Sequence, residues 1–129
     1  LGEIPANADA HDTADGGPAT RAAARVRLAR MMLLDPDAFD ERDAIVAASW
    51  IADRQAAQVA RAARRVAKAI GWIPDAFVIS GHGDALVARA IAATGWHPRR
   101  VSIAETIGLN GARVAPAWAL ALIARGAIP

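Results

Sequence analysis

Hydrophobic and polar positions along this chain change period repeatedly, and each change marks an element. Through residues 1–19 no apolar period emerges. Gly2, Pro5, Gly16, Gly17 and Pro18 punctuate a stretch that also carries Asp9, Asp12 and Asp15, so it reads as a polar loop. Val26, Leu28, Met31 and Leu33 then alternate with Arg21, Arg25, Arg27 and Arg30 at helical intervals, with Pro18 close to the first turn. Asp35-Pro36-Asp37 is expected to end that helix, because a residue before proline is pushed out of the helical region.

The spacing next predicts a long helix over 41–70. Asp40 stands at its cap, and Glu41 and Asp43 sit where the N-terminal dipole favours negative charge. Ile45, Ala52, Val59 and Val66 recur every seven residues, with Ala56, Ala63 and Ile70 in a neighbouring row. Together they form one apolar stripe suited to packing on a sheet or another helix. Gly71 follows as the stop. Ala76-Phe77-Val78-Ile79 is then a short continuous apolar run, expected as a buried strand, with Ser80-Gly81-His82-Gly83-Asp84 behind it. A helix is expected from Asp84 to Ala93, a second strand at Val101-Ser102-Ile103-Ala104, a turn at Asn110-Gly111, and a last helix from Ala117 to Arg125 opened by Pro116. Strand, glycine turn, helix, strand and helix in that order belong to a helix-rich parallel α/β fold. Two strands need partners, and no others are expected in this sequence.

Composition narrows the function classes. The chain has 129 residues, 54% of them hydrophobic and 22% charged, which suits one folded domain. Much of the apolar share is alanine, so the core is expected to lean on Leu, Ile, Val and the four tryptophans, which fall on different elements and fill gaps between helices. Net charge is only +2 although the pI is about 10.4, because the cations are arginines apart from Lys68. Such a small excess does not point to a nucleic-acid partner. Arg61, Arg64, Arg65 and Lys68 read as a solvated helix end that compensates the dipole. Cysteine is absent, which excludes disulfides and thiolate metal sites. The chain starts at Leu1 without a basic-then-apolar leader, and its apolar runs fall short of the roughly 20 residues of a bilayer span. These features predict a soluble cytoplasmic protein that does not use a membrane, cut or processed at its N-terminus.

The chemistry concentrates in two places. Ser80-Gly81-His82-Gly83-Asp84 lies where a buried strand passes into a helix. There glycines admit a ligand to the backbone, and free N–H groups at the helix start favour an anion such as phosphate. A tight turn without ligand uses glycine equally well. Gly81 and Gly83 with Glu105 some twenty residues on also resemble a dinucleotide fingerprint, but Leu86 stands at the third glycine position and Asp84 adds a carboxylate beside the pyrophosphate. The second place is the opening loop. His11, Asp12 and Asp15 suit either metal ligation or a network of turns and caps. His82 reads either as a solvated turn histidine or as a group that would bond an anion or shuttle a proton, while His97 reads as a surface-loop residue. Gln55 and Gln58 read as surface or helix-contact positions.

Phe77-Val78-Ile79-Ser80-Gly81-His82-Gly83-Asp84-Ala85-Leu86-Val87-Ala88-Arg89, the closing Ala115-Pro116-Ala117-Trp118-Ala119-Leu120-Ala121-Leu122-Ile123-Ala124, the opening His11-Asp12-Thr13-Ala14-Asp15-Gly16-Gly17-Pro18-Ala19-Thr20 and Arg27-Leu28-Ala29-Arg30-Met31-Met32 together resemble one family. It is the hydantoinase/oxoprolinase-like family linked to tetrahydromethanopterin C1 transfer, related to the archaeal methanofuran-biosynthesis transferase that makes the furan-methanamine core. The resemblance spans nearly the whole chain, but only the C-terminal part of such a protein. It implies the C-terminal lobe (20–129) of an RNase-H-like fold of the actin/sugar-kinase/hydantoinase superfamily, with the loop 1–19 facing the cleft. The family's N-terminal lobe carries an Asp-x-Gly-Gly phosphate loop after a strand. Asp15-Gly16-Gly17 lacks that preceding strand, so the missing lobe or a separate chain is an implied partner, and this chain is expected to be inactive without it. By the same resemblance the substrate is a small phosphorylated or diphosphorylated metabolite. Gly81 and Gly83, with Ser80, His82 and Asp84, would hold its phosphates, Asp12 and Asp15 would act catalytically, and Asp15 would hold Mg²⁺. A homo-oligomer is compatible with this picture. The rivals are a non-catalytic assembly or regulatory module of the same fold and an NAD-binding oxidoreductase domain.

Overall fold

The computed structural model describes residues 1–3, 5–81 and 83–126. The chain divides into two compact units, Leu1–Arg54 and Gln55–Pro129, and the division falls inside the long helix.

In the first unit, residues 5–20 form a loop pinned by an Asn7–Ala19 bridge. Helix α1 (Arg21–Met31) follows, with the Thr20 hydroxyl accepting the Ala23 N–H at 3.3 Å as its cap. It stops earlier than the proline rule suggests. The Leu34 N–H donates to the Ala29 carbonyl at 2.9 Å and the Leu33 N–H to Arg30 at 3.0 Å, with Leu33 left-handed at φ 59°. This is a Schellman termination, and its left-handed position is usually glycine. A leucine there costs roughly 1–2 kcal/mol. Asp35-Pro36-Asp37 instead opens a short 3₁₀ turn, Pro36–Ala38, capped by the Asp35 carboxylate on the Asp37 N–H at 2.9 Å. The Arg25 guanidinium donates to the Pro36 carbonyl at 2.6 Å and also to that of Phe39, tying α1 to the turn that seats the buried Phe39 ring.

Helix α2 (Glu41–Ile70) has the bounds its periodicity predicts. Its start is a reciprocal cap, with the Asp43 N–H on the Asp40 carboxylate at 2.8 Å and the Asp40 N–H on Asp43 at 3.2 Å. The expected apolar stripe is only partly used. Burial falls on Ala56, Ala60 and Ala67, while Val59, Val66 and Ile70 stay exposed. Small side chains let neighbouring backbone approach, and the bulkier row beside them is left uncovered.

The second unit completes the parallel α/β segment with strand β1 (Ala76–Ile79), helix α3 (Asp84–Thr94), strand β2 (Arg99–Ser102) and helices α4 (Ile103–Arg113) and α5 (Ala115–Ala124). The strands pair in parallel from Ala76↔Arg99 to Ile79↔Ser102. That register moves β2 two residues upstream of its expected place, because the ladder starts where the Arg99 N–H meets the Asp75 carbonyl at 2.8 Å. Phe77 and Ile79 share one sheet face, where Phe77 stacks on Trp96 with ring centroids 6.4 Å apart. Val78, on the other face, is 67% exposed. The break expected at Asn110-Gly111 lies at Gly108, whose φ of 74° and ψ of 166° interrupt α4. Gly111 is helical, and a Cβ there would meet Ile107 Cγ1 at 2.9 Å, so its role is close packing and not turning. No single helix among the described residues is long and apolar enough to cross a membrane.

The interior departs most from expectation. Buried residues are Ala29, Ala56, Ala60, Ala67, Ala90 and Ala112 with Phe39, Ile79 and Thr94, and no large side chain is fully buried among the described residues. Three of the four tryptophans, Trp50, Trp72 and Trp118, are exposed where gap-filling was expected. The accessible surface is 9325 Å², against about 7,800 Å² for two separate compact bodies sharing this mass. Apolar surface is left bare in both units.

Arg25→Ala is expected to lower the stability of the first unit by about 1.5–3 kcal/mol, the usual worth of hydrogen bonds to a charged donor. Urea unfolding followed by circular dichroism measures it, and an unchanged midpoint would show that the Pro36 and Phe39 contacts contribute nothing.

Candidate functional site

The glycine turn forms as the strand–turn–helix order requires. Ile79 ends β1 in the interior, Ser80 is exposed, and Gly81 takes φ 87°. Apart from its chain neighbours, no described atom lies within 4 Å of a Cβ built on Gly81, so the requirement for glycine is conformational. Gly83 caps α3 at φ −94°, its carbonyl accepting the Val87 N–H at 2.8 Å, and no side chain among the described residues caps the helix start. The first-turn N–H groups of α3 follow the C-terminal end of β1, the edge at which the parallel pair ends. Asp84 occupies the first helical position and supplies negative charge to the dipole from within the chain. His82 falls outside the described residues.

On the neighbouring strand, Ser102 ends β2 opposite Ile79. Glu105 follows on the first turn of α4, not on the strand end where a ribose contact is expected.

The opening loop is a separate constellation within the first unit. Asp15 is its hub. Its carboxylate accepts the Arg27 guanidinium at 2.9 Å, the Gly17 N–H at 3.1 Å and the Thr13 hydroxyl at 3.2 Å, with Arg30 at 3.7 Å. The Thr13 hydroxyl shares its single hydrogen between Asp15 and the Gly17 carbonyl, which is nearer at 2.6 Å, and His11 Nδ1 lies 2.9 Å from the Gly16 carbonyl oxygen. The Arg27 guanidinium first, and then the Gly17 N–H, hold the Asp15 carboxyl below its ordinary value of 3.8. Asp15 thus anchors the loop to α1. As a magnesium ligand it fits poorly, because two guanidiniums already face its oxygens and a divalent cation would have to displace or oppose them. Asp12 is exposed. Among the described residues, no group of three or more His, Cys, Asp or Glu side chains is placed to hold a metal ion.

Asp12 and Asp15 thus belong to the first unit, and Ser80, Gly81, Gly83 and Asp84 to the second. The described cavities lie elsewhere. One of about 400 Å³ between α1 and α2 is lined by Arg21, Ala24, Leu28, Ile45 and Ala48, with the Arg21–Glu41 ion pair, at 3.2 Å, among its walls. Another of about 390 Å³ lies by the C-terminal end of α3 against Ile91, Trp96, His97 and Arg100. Sequence reasoning missed three arginine roles: Arg27 on Asp15, Arg25 on the 3₁₀ turn, and Arg64, which donates to the Ala93 carbonyl at 2.5 Å and so caps the end of α3. Their helical spacing shows only that they lie on helices, and nothing in it identifies a carbonyl 29 residues away.

The lowered Asp15 pKa fixes a sign. Its contribution is fully present above the unfolded carboxylate value and is lost as pH falls through the lower folded value. The loop clasp should therefore hold at neutral pH and open only in acid below the ordinary Asp range. Amide resonances of Gly16 and Gly17 should titrate there, and Asp15→Asn should abolish that transition. Titration near the ordinary value would show that Arg27 does not engage the carboxylate in solution.

No protein-family model, curated protein or solved structure matches this chain, so the glycine turn and the arginine-held loop stand on their own geometry.

Proposed function

We propose that this chain forms one part of a transferase acting on a small phosphorylated or diphosphorylated metabolite, with the phosphate received at Ser80–Gly83. The observation that supports it is the left-handed Gly81 ahead of a helix start that no side chain among the described residues caps, at the C-terminal edge of a parallel strand pair. Ligands of open α/β sheets gather at that edge, and unpaired helix N–H groups favour anions. The resemblance to the hydantoinase/oxoprolinase-like family directs the reading further, to an RNase-H-like lobe and to methanofuran-type one-carbon cofactor biosynthesis. In that arrangement a second lobe or chain supplies the other phosphate contacts. Within the first unit, Asp15 acts by positioning its loop.

A second reading, a non-catalytic assembly module of the same fold, draws on the bare apolar residues of both units and on Asp84, which already serves the helix dipole.

Pyrophosphate titration separates the two. Wild-type protein should show amide shifts confined to Ser80–Leu86. Gly83→Val should weaken binding by about tenfold or more while helix content stays constant, since φ at Gly83 is −94° and a new Cβ meets only Val87 Cγ2, at 3.9 Å. Absent shifts, or shifts that the variant keeps, would leave the turn architectural and favour the assembly module.

A further inference from the structure

We infer that the face formed by the end of α1 and the first half of α2 is a self-association surface, occupied by the same face of a second copy of this chain. Met31, Met32, Leu33 and Leu34 are consecutive and all exposed, and Val46 and Trp50 are exposed beside them on α2. Met32, Leu34, Val46 and Trp50 line one groove of about 680 Å³ that Phe39 also borders. A run of four exposed large apolar residues departs from the pattern of a solvated surface.

Leu33 is the most informative of them. It stands at the left-handed position of the Schellman turn, where glycine is favoured, with φ 59° and 94% of its surface exposed. Its side chain therefore adds strain and gains no covering contact within the chain. A protruding apolar side chain beside an apolar groove is self-complementary. A twofold axis can place the knob of each copy in the groove of the other, the isologous geometry of most dimers.

Area and charge favour a second copy over other occupants. From their fractional exposures, the six residues present on the order of 700–800 Å² per copy, backbone included, which full covering would bring close to the ~800 Å² per partner of a standard stable interface. Trp50 is a typical central anchor, held in place by the Arg54 guanidinium 5.0 Å from its ring centroid. Both signs of charge surround the groove, with Arg42 and Asp43 lining it and Asp35, Asp37 and Arg54 nearby in sequence. Two copies related by a twofold axis can thus oppose Arg42 to a carboxylate. The same carboxylates disfavour an anionic lipid surface.

Sedimentation equilibrium across a dilution series tests this. The wild type should be dimeric at about 0.1 mM and dissociate on dilution. Leu33→Gly should weaken association by about tenfold or more. Measured where both proteins are monomeric, its melting temperature should equal or exceed that of the wild type, because glycine relieves the turn. A merely structural Leu33 would not separate the two readouts in this way. Trp50→Glu should also abolish the dimer with helix content retained. A wild type that stays monomeric at the highest concentration overturns the proposal, whether or not it binds phosphatidylserine vesicles or another chain through this face. A dimer indifferent to both substitutions overturns it equally.

Discussion

Alanine packing is the constraint on which the rest of this structure depends. A buried methyl contributes on the order of 0.8 kcal/mol and a buried leucine about 1.5–3 kcal/mol, while fixing each backbone residue costs roughly 1–2 kcal/mol. An interior built from Ala29, Ala56, Ala60, Ala67, Ala90 and Ala112 brings helices close together but withdraws little surface from water. Stability must then come from elsewhere. Within the chain it comes from polar clasps: Asp40 with Asp43, Arg25 on the Pro36 and Phe39 carbonyls, Asp15 with Arg27, and Arg64 on the end of α3. The remaining apolar burial is left available for contacts outside it.

The arginine-rich composition acquires a meaning from those clasps. The planar guanidinium offers several donors and stays charged, so one side chain can bond two carbonyls or grip a carboxylate and a turn together. Arg25 does the first, and Arg27 joins the Asp15 carboxylate to α1. The high pI of the sequence thus reflects intramolecular fastening as well as any role toward ligands.

Local signals explain what the sequence made legible. Helix α2, strand β1, helix α3 and the Asp40 cap follow from periodicity, glycine and capping chemistry, all written within a few residues. The end of α1 was not legible, because a Schellman turn was built on Leu33 where the pattern asks for glycine, and the proline rule then pointed too far downstream. The place of β2 was set by its partner's register and not by its own hydrophobicity, which is why Arg99 and Arg100 lie in a strand. Of the candidate site, the conformational need for Gly81 was readable from strand–turn–helix order. The commitment of Asp15 to Arg27 was not, since it depends on how a loop folds back over 12 residues of chain.

The bare surfaces and the open turn follow from the same arithmetic. A parallel strand pair exposes its backbone edges and, at Val78, one of its faces, whereas parallel sheets are ordinarily covered on both. The turn that ends β1 is open to a ligand because no side chain of α3 caps it. An alanine-lined interior does not compensate for either, so covering the sheet and filling the turn would both be favourable. On the proposed reading, binding at this turn is coupled to covering of the sheet beside it. A ligand shared between the turn and a covering element stabilises both contacts, whereas the turn alone offers it only a few backbone N–H groups already partly countered by Asp84.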